Sequence, residues 1–77
     1  MKVQFRISKR IIKRGCRSVK WSTSGDNTWG PKALQVLDQD EYEDGDDPDE
    51  NFIYVKEGAI DKLIDAIEEE GDSYTYV

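Results

Sequence analysis

Histidine is missing altogether, and cysteine occurs once, at Cys16. Without histidine the chain lacks the commonest general base, the Ser-His and Cys-His nucleophile pairs, and the commonest transition-metal ligand. With one cysteine no internal disulfide can form. Cys16 stands between Arg14 and Arg17, but a lone thiol with no base and no resolving cysteine reads as a small packing residue. Glycine-rich phosphate loops are absent too: Gly25 and Gly30 lie in a turn region without P-loop or dinucleotide-binding spacing. These gaps argue against an enzyme, and no cofactor is expected.

Apolar residues are scarce, 36% of 77 residues. A chain this short buries only about 60% of its unfolded surface, so the expectation is one domain with a thin core, helped by eight aromatics, and a possible homodimer. No apolar run is long enough for a membrane span or a secretory signal core. With the single cysteine, this makes a cytoplasmic location, bacterial or host-cell, the simplest reading.

Acids are missing from the first 25 residues, which carry eight cations. All seventeen acids fall in residues 26–77, against three lysines there, so charges of +8 and −14 combine into the net −6. Such segregation implies two surfaces of opposite potential.

Met1 to Ser8 alternates apolar Val3, Phe5 and Ile7 with polar neighbours, as a half-buried strand does. Ile11 and Ile12 are candidates to extend it before Gly15. Arg17 to Thr23 reads as a second strand with Val19 and Trp21 on its inner face. Ser24-Gly25-Asp26-Asn27 signals a turn and Gly30-Pro31 closes a loop. Ala33 to Gln39 fits a strand imperfectly, and Pro31 equally suits the first turn of a short helix; the strand is the favoured assignment. Asp38 to Glu50 holds nine acids in thirteen residues and reads as a mobile acidic loop. Asn51 to Lys56, with Phe52-Ile53-Tyr54-Val55, is the clearest buried strand. From Ala59 to Glu70, Ile60, Leu63, Ile64 and Ile67 form one amphipathic helical stripe, stopped by Gly71. The tail Ser73–Val77 alternates like a strand and suits a sheet edge, in its own chain or a second one.

The expected fold is α+β: a small antiparallel sheet of about four strands packed on one C-terminal helix, in the order ββββα. That order resembles the repeat unit of PUR-type and Whirly-type single-stranded nucleic-acid binders, in which a curved sheet backs onto a helix. The resemblance is one of element order, with no family motif beside it.

Two surfaces are candidates for function. The first is acidic: Asp40, Glu41, Glu43, Asp44, Asp46, Asp47, Asp49 and Glu50, with Asp61, Asp65, Glu68 and Glu69 on the helix. Asp61 and Asp65 are a like-charge i, i+4 pair costing about 0.2–0.5 kcal/mol. Acids in the last helical turn oppose the macrodipole by about 0.3–1 kcal/mol each at low salt. Acids placed against local stability suit a nucleic-acid-mimicking surface for a basic nucleic-acid-handling protein, as in the small inhibitors or modulators that bacterial viruses encode. Solubility is the plainer explanation. A calcium site is not expected, because an EF-hand register from Asp40 puts Tyr42 at position 3 and Asn51 at position 12.

The second surface is basic: Arg6, Lys9, Arg10, Lys13, Arg14, Arg17 and Lys20, with Trp29 as an exposed ring and Trp21 assigned to the core. Cations that hold phosphates beside rings that stack bases are the components of single-stranded nucleic-acid binding. A third class is a structural subunit assembling through its edge strands and the 73–77 tail.

Overall fold

A computed structural model describes residues 3–22, 31–45 and 51–77. Its elements run β1 (Gln4–Ile7), β2 (Cys16–Ser22), a 3-10 helix (Lys32–Val36), β3 (Tyr42–Asp44), β4 (Phe52–Lys56), α1 (Glu57–Glu69) and β5 (Ser73–Tyr76). The strands form one sheet in the order β3-β4-β2-β1-β5. Every pairing is antiparallel except β1 with β5. The fold is α+β, a mostly antiparallel sheet backed by one helix.

Period-two alternation sets the two sheet faces. Phe5 and Ile7 of β1, Val19 of β2 and Val55 of β4 are fully buried beneath Ile60, Leu63 and Ile67 of α1. The stripe read from the sequence is the stripe that packs. Burying each such side chain is worth about 1.5–3 kcal/mol, and these contacts supply most of the small core.

Local chemistry fixes the connections. The connection from β1 to β2 spans residues 8–15 and closes in a two-residue turn just before β2, in which Cys16 N–H donates to Lys13 C=O at 2.7 Å. Arg14 and Gly15 at its centre have φ of 49° and 75°, the left-handed pair of a type I′ turn that matches strand twist. Ile11 and Ile12 do not extend β1; they lie exposed in this connection. β4 passes into α1 without a loop. The helix ends in a Schellman motif: Gly71, at φ 77°, donates to Glu68 C=O and Asp72 to Ile67 C=O, both at 3.0 Å. The Asp72 carboxylate then accepts Val3 N–H at 2.9 Å, tying the helix end to the start of β1.

Two further expectations need correction. The favoured strand over 33–39 is a 3-10 helix at Lys32–Val36. Pro31 opens it with φ −57°, Leu34 N–H returns to Pro31 C=O at 3.0 Å, and Ala33 and Leu37 turn one buried edge toward α1. The acidic segment 38–50 is not all loop: Tyr42–Asp44 is β3, paired with β4. Tyr42 packs on the core, and ladder bonds plus that burial outweigh the repulsion among its acidic neighbours. Residues 46–50 lie outside the described residues. The tail, which suited a sheet edge in its own chain or a second one, pairs in its own chain as β5 and brings the sheet to five strands.

Two glycines give opposite expectations. A Cβ on Gly45 would sit 2.6 Å from the Phe52 carbonyl oxygen and 2.8 Å from its ring, so Gly45→Ala should cost about 1–3 kcal/mol through overpacking. Gly58, in the first turn of α1, has open space around it. Gly58→Ala should add about 0.4–1 kcal/mol by restricting the unfolded chain. Urea midpoints of the two variants check both signs.

Candidate nucleic-acid interface

The helix covers one face of the sheet. Alternation sends Gln4 and Arg6 of β1, Ser18, Lys20 and Ser22 of β2, Phe52, Tyr54 and Lys56 of β4, and Thr75 of β5 to the other. Register aligns these residues into rows. Phe52, Lys20, Arg6 and Thr75 stand side by side across four strands. Glu43, Tyr54 and Ser18 form the next row.

The aromatic pair is the centre of this face. The Phe52 and Tyr54 rings meet edge to face, with centroids 5.6 Å apart at 86°. Lys20 Nζ lies 5.7 Å from the Phe52 centroid and Lys13 Nζ lies 5.2 Å from that of Tyr54. Ammonium groups at this range are drawn by the ring quadrupole and keep part of their water. Phe52 is half-buried and Tyr54 nearly fully buried. The Lys20 and Arg6 end opens into a shallow depression of about 270 Å³ bordered also by Trp21, Ser22 and Asn51. Phe52 and Tyr54 are not among the residues expected at a functional surface, since the run Phe52–Val55 reads as a buried strand. The available signal was their i, i+2 spacing, which puts both opposite Ile53 and Val55.

The structure divides the predicted basic set. Arg6 and Lys20 are exposed on the open face, and Lys9 and Arg10 on the β1–β2 connection. Arg17 projects to the helix side, where its guanidinium donates to Ser8 C=O at 3.0 Å, Lys9 C=O at 2.6 Å and the Glu57 carboxylate at 2.7 Å. Such a charge-assisted clamp pins the β1–β2 connection to the start of α1. Arg14 faces Glu43 at 3.5 Å. Trp29 lies outside the described residues, while Trp21 packs against the core as expected. Cys16 is fully buried.

The predicted acidic set divides as well. Glu41 accepts from Lys62 and from Asp38 N–H, the latter at 2.9 Å, and Asp38 lies 4.0 Å from Lys62. Glu43 belongs to the open face with Arg14. Asp40 and Asp44 are exposed beside the β3 edge. Asp46, Asp47, Asp49 and Glu50 lie outside the described residues. On α1, Asp61, Asp65, Glu68 and Glu69 are all exposed, away from the sheet. Lys62 is the helix's one cation, and Glu41 engages it.

Among the described residues, Arg6 and Lys20 lie on the open face and Asp61, Asp65, Glu68 and Glu69 on the outer side of α1, while Asp38, Asp40, Glu41, Glu43 and Asp44 gather at the β3 edge of the sheet. The thickness of α1, about 10 Å, separates the helix acids from the sheet, comparable to the Debye length of about 8 Å at physiological ionic strength. At that salt the open-face cations are screened from the helix acids.

Among the described residues no group of three or more Cys, Asp or Glu side chains is arranged to hold a metal ion. No helix among them is long and apolar enough to cross a membrane. Compared with protein-family models, curated proteins and solved structures, the chain matches none.

The Glu41–Lys62 pair has a definite pH signature. The bond from Lys62, then the Asp38 N–H, hold the Glu41 pKa below its ordinary 4.5. The bond to Glu41 raises Lys62 above 10.5. A depressed carboxylate pKa means stabilisation that is present above the unfolded value and lost as pH falls through the folded one. A raised lysine pKa means stabilisation that is full below the unfolded value and lost as pH rises through the folded one. Wild type should therefore exceed Glu41→Gln in stability across the neutral range. The difference should shrink below about pH 4.5 and again above about pH 10.5, as read by urea unfolding at a series of pH values.

Proposed function

We propose that this chain is a non-catalytic module that binds single-stranded nucleic acid on the open face of its sheet. The observation that carries the reading is the row of Phe52, Lys20 and Arg6 across three adjacent strands, with Tyr54 and Lys13 beside it. Single-stranded binders need cations along a track and ring faces for bases. Here the lysines rest over the rings. A base stacking on Phe52 would take the place of Lys20 and leave its ammonium beside a phosphate, so the exchange conserves a contact on each side. The obstacle in the composition, a net charge of −6, is eased by the placement of Asp61, Asp65, Glu68 and Glu69 beyond the helix.

A titration of a fluorescent single-stranded oligonucleotide by anisotropy tests this. Binding should appear at low salt and weaken as salt rises. For single strands the log–log salt slope should fall by about 0.7 for each phosphate contact removed, as in Arg6→Ala and Lys20→Ala. Phe52→Ala should weaken binding by about 1–3 kcal/mol with little change in that slope. No binding at low salt, to either DNA or RNA, would sink the proposal.

The outer side of α1 supports a second reading, in which the chain inhibits or modulates a basic nucleic-acid-handling protein. Asp61, Asp65, Glu68 and Glu69 form an exposed ridge whose neighbouring cation is already engaged. Under this reading, neutralising the four as Asn and Gln should abolish capture of that protein while leaving oligonucleotide binding intact.

A further inference from the structure

The edges of the sheet are unlike each other. On one side stands β3, Tyr42–Asp44, preceded by Asp38, Asp40 and Glu41. Like charges there keep a second copy away, a common protection for edge strands. On the other side stands β5, Ser73–Tyr76, followed by Val77. It has no charged side chain, no proline and no bulge.

The ladder to β1 uses alternate residues of β5. Ser73 N–H donates to Val3 C=O at 3.2 Å, Val77 N–H donates to Ile7 C=O at 2.9 Å, and Val77 C=O accepts from Lys9 N–H at 2.9 Å. Tyr74 and Tyr76 lie between, so their backbone N–H and C=O groups turn outward. No strand among the described residues pairs with them. Tyr76 and Val77 are 45% and 64% exposed.

We propose that β5 pairs antiparallel with β5 of a second copy across a two-fold axis at Thr75, making one continuous ten-stranded sheet. In this register Tyr74 lies opposite Tyr76 of the second copy, and the two pairs exchange four backbone hydrogen bonds. Thr75 meets its counterpart in the non-hydrogen-bonded position, where side chains approach most closely. The tyrosines, already edge to face at 5.7 Å within one chain, become a cluster of four on the helix side.

Charge favours the same register. Antiparallel pairing sets Ser73 of one copy opposite Val77 of the other. Glu69, Glu70 and Asp72, just before Ser73, then approach Lys9 and Arg10, which flank Val77 through the Lys9 bond. The two-fold repeats this complementarity. An isologous contact of this kind closes on itself, and the acidic β3 edges end up at the far limits of the sheet.

The proposal does not rest on nucleic-acid binding. Sedimentation equilibrium over a range of concentrations tests it. Wild type should move from monomer to dimer mass and no further. Thr75→Lys places two like charges on the axis, so it should weaken self-association several-fold while its circular dichroism stays that of wild type. It also adds a cation to the open face, so oligonucleotide binding, if present, should not fall with dimerisation. Thr75→Cys should form a covalent dimer under mild oxidation, because the paired Cα atoms would be about 4.5 Å apart; Cys16, buried in each copy, should not. A wild type that stays monomeric at all concentrations, assembles beyond a dimer, or dimerises undiminished in Thr75→Lys would overturn the proposal. So would a Thr75→Cys protein that fails to cross-link.

Discussion

One helix covers one face of a five-stranded sheet, and the remaining organisation depends on that constraint. Ile60, Leu63 and Ile67 exclude water from Phe5, Ile7, Val19 and Val55. Strands change face at every residue, so burying one set obliges the intervening set to form a second surface. That second set is Arg6, Lys20, Phe52 and Tyr54. A slip of one residue in any central strand would put cations under the helix, at a cost of several kcal/mol per unpaired charge. The packing that stabilises the domain is therefore what assembles its basic aromatic face.

The same constraint sets the open-face cations and the helix acids on opposite sides of the sheet. The first two strands and the connection between them bring most of the cations, and the inner face admits few of them. Arg17 is the exception that the inner side accommodates, at its margin, because two carbonyls and Glu57 satisfy its guanidinium. The helix bears its acids outward because its inward stripe is apolar. Among the described residues, Arg17 pairs with Glu57 and Arg14 with Glu43 where the basic and acidic segments meet, and Lys62 pairs with Glu41 within the acidic segment. Each of these is partly exposed, a setting in which ion pairs add little stability. They act more as register marks, joining segments 40, 29 and 21 residues apart.

What could be read from the sequence follows the range of the signal. α1 was legible because its stripe and its Gly71 stop are local. β1 and β2 were legible because alternation is local as well. The 3-10 helix was not, because a segment as short as Lys32–Val36 fits either period and is settled by what it packs on. β3 was hidden by its own acids, which suggest a solvated loop until Tyr42 finds Val55. For the candidate interface the cations were visible but the rings were not. Four consecutive apolar residues in β4 carry no indication of which two face the helix. Only the pairing of Phe52 with Lys20 reveals that half of the run belongs to the open side.

Composition at the edges shows how differently the chain treats its surfaces. The β3 edge carries carboxylates where an approaching strand would meet them. The β5 edge carries none, although a single lysine in place of Thr75 would protect it without disturbing the core, since that side chain is exposed. In a chain that is 36% charged, a stretch from Ser73 to Val77 with no charged side chain on an open sheet edge runs against the general composition. Burial against a second copy is the physical circumstance in which an uncharged edge is favourable, because charges there would be desolvated or opposed. The tyrosines point the same way: Tyr76 gains little by packing at the rim of one domain, but four such rings over a joined sheet would share a buried surface that neither copy provides alone.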